Sequence, residues 1–168
     1  CNQPALTKPV CDQPPGTNDC CYQAVKVDYG VCIGRPFVVE GNARRASAEN
    51  RRDWQSVLGH SISSELDSIT RAALCSAWTR QARDEHASVA SFARLVLELL
   101  AVSAPAPLVR GAQQALGDEI AHAEFAFAIA SQFGDEALGP GPLSIEGELF
   151  RTRLLDIALA AVQEGCIG

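Results

Sequence analysis

Between residues 68 and 133 the chain carries two stretches in which apolar residues recur three and four apart, and in each the apolar series is interrupted by carboxylates. In the first the series is Trp78, Ala82, Glu85, Val89, Phe92, Val96 and Leu99. In the second it is Ala112, Ala115, Leu116, Glu119, His122, Ala123, Ala126 and Ala130. That spacing predicts helices with one face turned to a core. Burying an isolated charge is costly, so a carboxylate on such a face is neutral, paired or bound to a metal. A fold for this chain has to accommodate all of these groups.

The helix boundaries follow from the punctuation. The first helix is expected over 68–102, ending before the prolines Pro105 and Pro107. The second is expected over 107–133, with Pro107 in its first turn and Gly134 as its stop. A Gly/Pro loop over 138–143 follows, and a third helix is expected from about Glu146 to the end at Gly168. Residues 34–41 contain a short β-prone run between glycines, and from Ser47 onward the texture is helical. Long helices joined by a short turn indicate an all-α, antiparallel bundle rather than a mixed sheet.

Level matters as well as face. Glu85 lies about 17 residues before the turn near Ala104, and Glu119 and His122 lie about 13 to 16 after it. At roughly 1.5 Å per residue these three side chains share one cross-section of an antiparallel pair. Two carboxylates and an imidazole meeting there make half of a di-metal site. Glu85, Glu119 and His122 are therefore the candidate metal ligands. The alternatives are a carboxylate at position 85 paired with an arginine, and a structural hydrogen bond between Glu119 and His122. A carboxylate-rich site with one histidine suits iron, with manganese as the alternative.

A lone inward Glu followed by Glu-x-x-His on the next helix resembles the ferritin-like di-iron carboxylate superfamily. Residues 84–93 and 118–124, with 34–37 and 164–168, look like an uncharacterised branch of exported bacterial proteins with that fold. The resemblance covers about residues 34–168. It implies a ferritin-like four-helix bundle holding two irons, and oxygen- or peroxide-linked redox chemistry, iron oxidation or hydroxylation; nothing in the residues selects among these, or decides whether the chain is an enzyme. The chain departs from the pattern in one respect. The second Glu and second Glu-x-x-His of such proteins have no counterpart, because the inward series of the third helix (Leu155, Leu159, Val162, Cys166) has its next member at position 169. The expectation is a chain cut before the fourth helix, or another protein chain or second copy that supplies the other half and covers the open flank. Some encapsulated relatives of ferritin complete their site in that second way.

Other chemistry-bearing residues are given plainer roles. Glu164 lies off the main stripe and is expected to be solvated or supporting; Asp118 and Glu124 are outer-face charges. His86 faces away from Glu85, His60 has no constellation around it, and Trp78 is core. The ferritin-like resemblance implies that helices one and three run antiparallel, which puts Cys75 and Cys166 on opposite sides of the metal level, roughly 20 Å apart along the axis, too far for a disulfide.

The first 32 residues are different in kind. Five of the seven cysteines (Cys1, Cys11, Cys20, Cys21, Cys32) lie there among Pro, Gly, Asn and Asp. Such a stretch cannot hold itself by apolar burial, so disulfides in an exported protein are expected. A zinc site lacks a CxxC pair and a nearby histidine. Pairing is either Cys11–Cys20 with Cys21–Cys32 or Cys11–Cys21 with Cys20–Cys32. Cys1 is what lipoprotein processing leaves, giving a lipid attachment to a periplasmic or outer-membrane surface, or it is an arbitrary boundary. The organisation is then a cysteine-rich segment over 1–46 and a ferritin-like helical domain over 47–168. The net charge of −6 argues against nucleic acid, and the most apolar stretch, 95–109, is broken by Glu98 and two prolines. The expected function is metal-centred redox or iron handling in the cell envelope. The alternative is a non-catalytic structural subunit of a larger envelope complex.

Overall fold

The structure, a computed structural model, describes residues 35–58 and 66–167, with side chains as far as Gly165. The chain divides into two compact units, Cys1–Cys32 and Ile33–Gly168. The described residues belong to the second. The expectations for Cys1, Cys11, Cys20, Cys21, Cys32, His60 and the side chain of Cys166 lie outside the described residues.

Two long helices form the body. Helix α1 spans Ser68–Ala101, and Asp67 caps it by accepting from the Ile69 and Thr70 amides at 3.0 and 2.9 Å. These are donors that the first turn of a helix cannot satisfy internally. The chain then reverses, with Ser103 in the left-handed region (φ 53°) and the Ala104 amide donating to the Leu99 carbonyl at 2.9 Å. Helix α2 spans Ala106–Phe133, with proline in its first turn, where no amide donor is needed. The two helices are antiparallel: Arg71, at the start of α1, donates to the carbonyl of Gln132, at the end of α2, at 3.1 Å. Both lie within a residue of the lengths that the prolines and Gly134 imply.

Short β-ladders brace this hairpin. Strands β1 (Val38–Val39) and β2 (Asn42–Ala43) pair antiparallel around Glu40 and Gly41, both at positive φ (50° and 76°). A two-residue loop with both φ values positive is the type I′ turn, whose twist matches that of the strands. Phe37 and Val39 are buried with Ala87 of α1, and Ala90 and Leu143 pack against them. Strand β3 (Ala48–Asn50) pairs antiparallel with β4 (Leu138–Pro140), Glu49 opposite Gly139. The residues after Ser47 are thus a strand where helical texture was expected. Their ladder partner lies some 90 residues away, beyond the reach of any local pattern. Trp54, Trp78 and Leu138 pack on Ala82, Ala126 and Phe127 at this end.

The third helix is shorter than expected. Helix α3 spans Leu154–Val162 and continues as a π-helical turn, Gln163–Ile167. Helix formation from Glu146 is blocked because Gly147 adopts φ 81°, which the right-handed helix excludes. Residues 141–153 run as a strap instead, from the Leu138 end to the far half of α1, where Arg151 meets Glu98. Ile157 and Ala160 are the buried residues of α3, while Leu155, Leu159 and Val162, expected to face inward, are exposed. Among the described residues the protein is mostly helical, and no helix is long and apolar enough to cross a membrane.

Candidate metal centre

The side chains of Glu85 (α1), Glu119 and His122 (α2) come together. One ligand atom from each lies within 4.8 Å of the others, the one such group among the described residues. The short α1–α2 turn sets the level, and the three-residue step from Glu119 to His122 is nearly one helical turn.

The three residues differ in burial. Glu85 is half-buried and accepts a hydrogen bond on Oε1 from Gln81 Nε2, one turn earlier on α1. Glu119 is 14% exposed, and its Oε2 is buried with no hydrogen-bond partner among the described residues. Burial first, then the hydrogen bond and charge of Glu85, then the charge of Asp118, push the Glu119 carboxyl up to about 8. Like charges that close disfavour double ionisation. His122 is 62% exposed, with Nδ1 3.8 Å from Glu119 Oε2. It stands at the rim rather than on the inward face where the stripe placed it. The face of a helix that ends up covered depends on its neighbours, and α2 has none over that edge among the described residues.

This set fits a divalent cation. Two carboxylates and an imidazole are the donors that iron or manganese takes. An orphaned buried carboxylate oxygen, held beside a second carboxylate, is in the condition a cation relieves. The rim position of His122 leaves one side of the group open to further ligands.

The neighbouring candidates take no part in this group. His86 is half-buried, edge-on to Trp54 with ring centroids 5.0 Å apart. Burial, and secondarily the positive charge of Arg51, lower its pKa. Asp118 is exposed, and Glu124 is half-buried, its carbonyl accepting from the Ser56 amide at 3.4 Å. Trp78 packs in the apolar cluster beside Ala82. Cys75 is a free thiol.

A second polar cluster escapes sequence reasoning. The residues of α1 that are most buried include Ser88, Ser91, Arg94 and Glu98, not the apolar series, most of which is only half-buried. Glu164, expected to be solvated or supporting, is 8% exposed and sits among Arg35, Arg94 and Arg151 at 2.8–3.0 Å. Arg94 also pairs with Glu148 at 2.9 Å, and Arg151 with the fully buried Glu98 at 3.1 Å. The available signal was the Arg94/Glu98 pair, one turn apart in an otherwise apolar run; the strap that completes the cluster leaves no mark in local periodicity.

Compared with known proteins, the chain matches no family model, no curated protein and no solved structure.

Proposed function

We propose that this chain is a ferritin-like metal-binding protein whose Glu85, Glu119 and His122 hold iron, or alternatively manganese, as half of a di-metal carboxylate site. The observation that carries this reading is the convergence of the three donors around an orphaned Glu119 oxygen. In such a site Glu85 and Glu119 offer oxygen ligands of adjustable binding mode, and His122 offers the single nitrogen. A bound iron pair would supply the electrons for oxygen- or peroxide-linked redox chemistry or for iron handling. Gln81 orients Glu85, and the raised proton affinity of Glu119 means that a cation has to displace a proton to bind. The cell envelope is the proposed location, through the cysteine-rich segment and Cys1.

The deciding experiment is metal analysis of the native protein, followed by titration with Fe(II) under anaerobic conditions and with Mn(II). The reading requires bound metal in the wild type and its loss in Glu119→Ala with helical circular dichroism unchanged. Equal metal content in both proteins overturns it.

A specific observation also favours a partner chain. Leu155, Leu159 and Val162 form one face of α3 and are 60%, 54% and 49% exposed. Exposed apolar faces of this kind are interaction surfaces. A second copy is the simplest partner, because it would bring a second Glu, Glu and His. The same face serves the alternative function, a non-catalytic accessory subunit of an envelope complex. That reading predicts a stoichiometric complex without metal.

A further inference from the structure

The cluster around Glu164 is built like a binding site for a carboxylate. Glu164 Oε1 accepts from Arg94 Nη2 at 2.8 Å and from Arg151 Nη2 at 3.0 Å. Its Oε2 accepts from Arg35 Nε at 3.1 Å and from Ser91 Oγ at 3.4 Å. Arg35 and Arg94 are 7% and 3% exposed, each with its guanidinium over an aromatic ring, Phe92 for Arg35 and Phe37 for Arg94. The rings hold the two planar groups in place before any anion arrives.

The charges do not balance without Glu164. The cluster contains the cations Arg35, Arg94 and Arg151, and two other carboxylates, both already engaged. Glu148 is engaged by Arg94 and Glu98 by Arg151. Removing Glu164 leaves one surplus positive charge, with Arg35 stripped of its carboxylate partner. Arg94 Nε and Glu98 Oε2, both buried, already lack partners among the described residues, so the cluster has little slack to absorb that loss.

Glu164 continues the buried face of α3, seven residues after Ile157 and four after Ala160. Leu155, Leu159 and Val162 point outward, Glu164 points inward with Ile157 and Ala160, and the π-helical turn Gln163–Ile167 follows directly on the helix. The apolar anchorage of α3 is small, consisting of Ile157 and Ala160. The ionic cluster is its principal tie to α1.

We propose that Arg35, Arg94, Arg151 and Ser91 form a receptor for a carboxylate anion that the chain fills with its own Glu164, so that α3 is an arm latched in cis by a replaceable ligand. The receptor is separate from Glu85, Glu119 and His122, and the proposal stands whether or not those residues bind metal.

The test is chemical rescue. Glu164→Ala removes a methylene and a carboxylate, the atoms of acetate. Thermal unfolding of this variant is measured in acetate and in chloride at equal ionic strength, beside the wild type and Glu164→Gln, whose amide fills the same space. Glu164→Ala should melt below the wild type and recover a large part of the loss in acetate but not in chloride. Hydrogen exchange over residues 148–165 should slow in step. The wild type and Glu164→Gln should not respond. An acetate effect no larger than that of chloride overturns the proposal, as does an equal acetate effect on Glu164→Gln. If Glu164→Ala is unfolded in chloride, the proposal requires that acetate restore its folding; a chain that stays unfolded in acetate also overturns it.

Discussion

Glu119 and Glu85 face each other across the α1–α2 interface, and burial of Glu119, reinforced by Glu85, pushes the Glu119 carboxyl up to about 8. Its carboxyl in the unfolded chain titrates near 4.5. The folded state therefore binds a proton that the unfolded state has released throughout the window between those two values. Stability of the metal-free protein falls as pH rises through that window and levels off above it. Urea unfolding of chelator-treated protein at pH 5 and pH 8.5 should show lower stability at the higher pH. Glu119→Gln, which cannot ionise, should flatten the trend; a variant with the full wild-type slope would assign the titration elsewhere.

Gln81 should matter to the metal without being a ligand. Its amide donates to Glu85 Oε1 from one turn away and fixes the carboxylate that faces Glu119. Removing such a supporting group costs about 10–100-fold in metal affinity. Gln81→Ala should therefore weaken Mn(II) binding by about that factor, whereas Glu119→Ala abolishes it. Competition with a chelator of known affinity measures both. An unchanged affinity in Gln81→Ala would mean that Glu85 is held by something else or does not bind.

If the α3 face carries a second copy, the assembly should be visible in solution. Sedimentation of the wild type should give a mass above that of one chain, falling to one chain in Leu155→Glu/Leu159→Glu. A wild type that remains a monomer at high concentration removes the second copy from the account.

Much of this arrangement was legible before any coordinates. Glu85, Glu119 and His122 sit at fixed distances from a proline-marked turn, so the level of the site follows from counting residues along two helices. The exposure of His122 was not legible, because periodicity places a residue on a face without saying what covers it. Glu164 was misplaced for a related reason. Its environment is made by Arg35, Arg94 and Arg151, which come from three parts of the chain, Arg151 on the strap bent at Gly147. The Ala48–Asn50 and Leu138–Pro140 ladder is equally non-local, and neither strand is long enough to show alternation.

The β1–β2 turn offers a stabilising change. Glu40 adopts φ 50° ahead of Gly41, and a side chain such as glutamate is strained there. Asparagine tolerates the left-handed region, and Asn-Gly is the preferred pair for this turn. Glu40→Asn should stabilise the protein by about 0.5–1 kcal/mol, the usual gain when a residue suits its backbone. The rise should appear in the denaturant midpoint with an unchanged slope. A fall would mean that the Glu40 side chain contributes more than its backbone strain costs.

The pair between Glu98 and Arg151 should show the asymmetry of buried charge. Glu98 is 0% exposed and Arg151 is 29% exposed, so the two ends of the pair have different alternatives. When Arg151 is cut back, Glu98 stays in the interior without the guanidinium, keeping only the backbone amide of residue 151 as a donor. Breaking a buried pair in this way costs about 3–5 kcal/mol. When Glu98 is replaced by leucine in the same chain, no charge remains to be compensated and the apolar side chain occupies similar space. Arg151→Ala should therefore be strongly destabilised, and Glu98→Leu/Arg151→Ala should recover a substantial part of that loss. Glu98→Leu alone should fall between them and the wild type, because Arg151 retains Glu164 at 3.0 Å and access to water. Chemical denaturation of the three variants and the wild type closes the cycle. Losses that simply add would show that Glu98 and Arg151 are not coupled and that the strap is anchored by the remaining contacts.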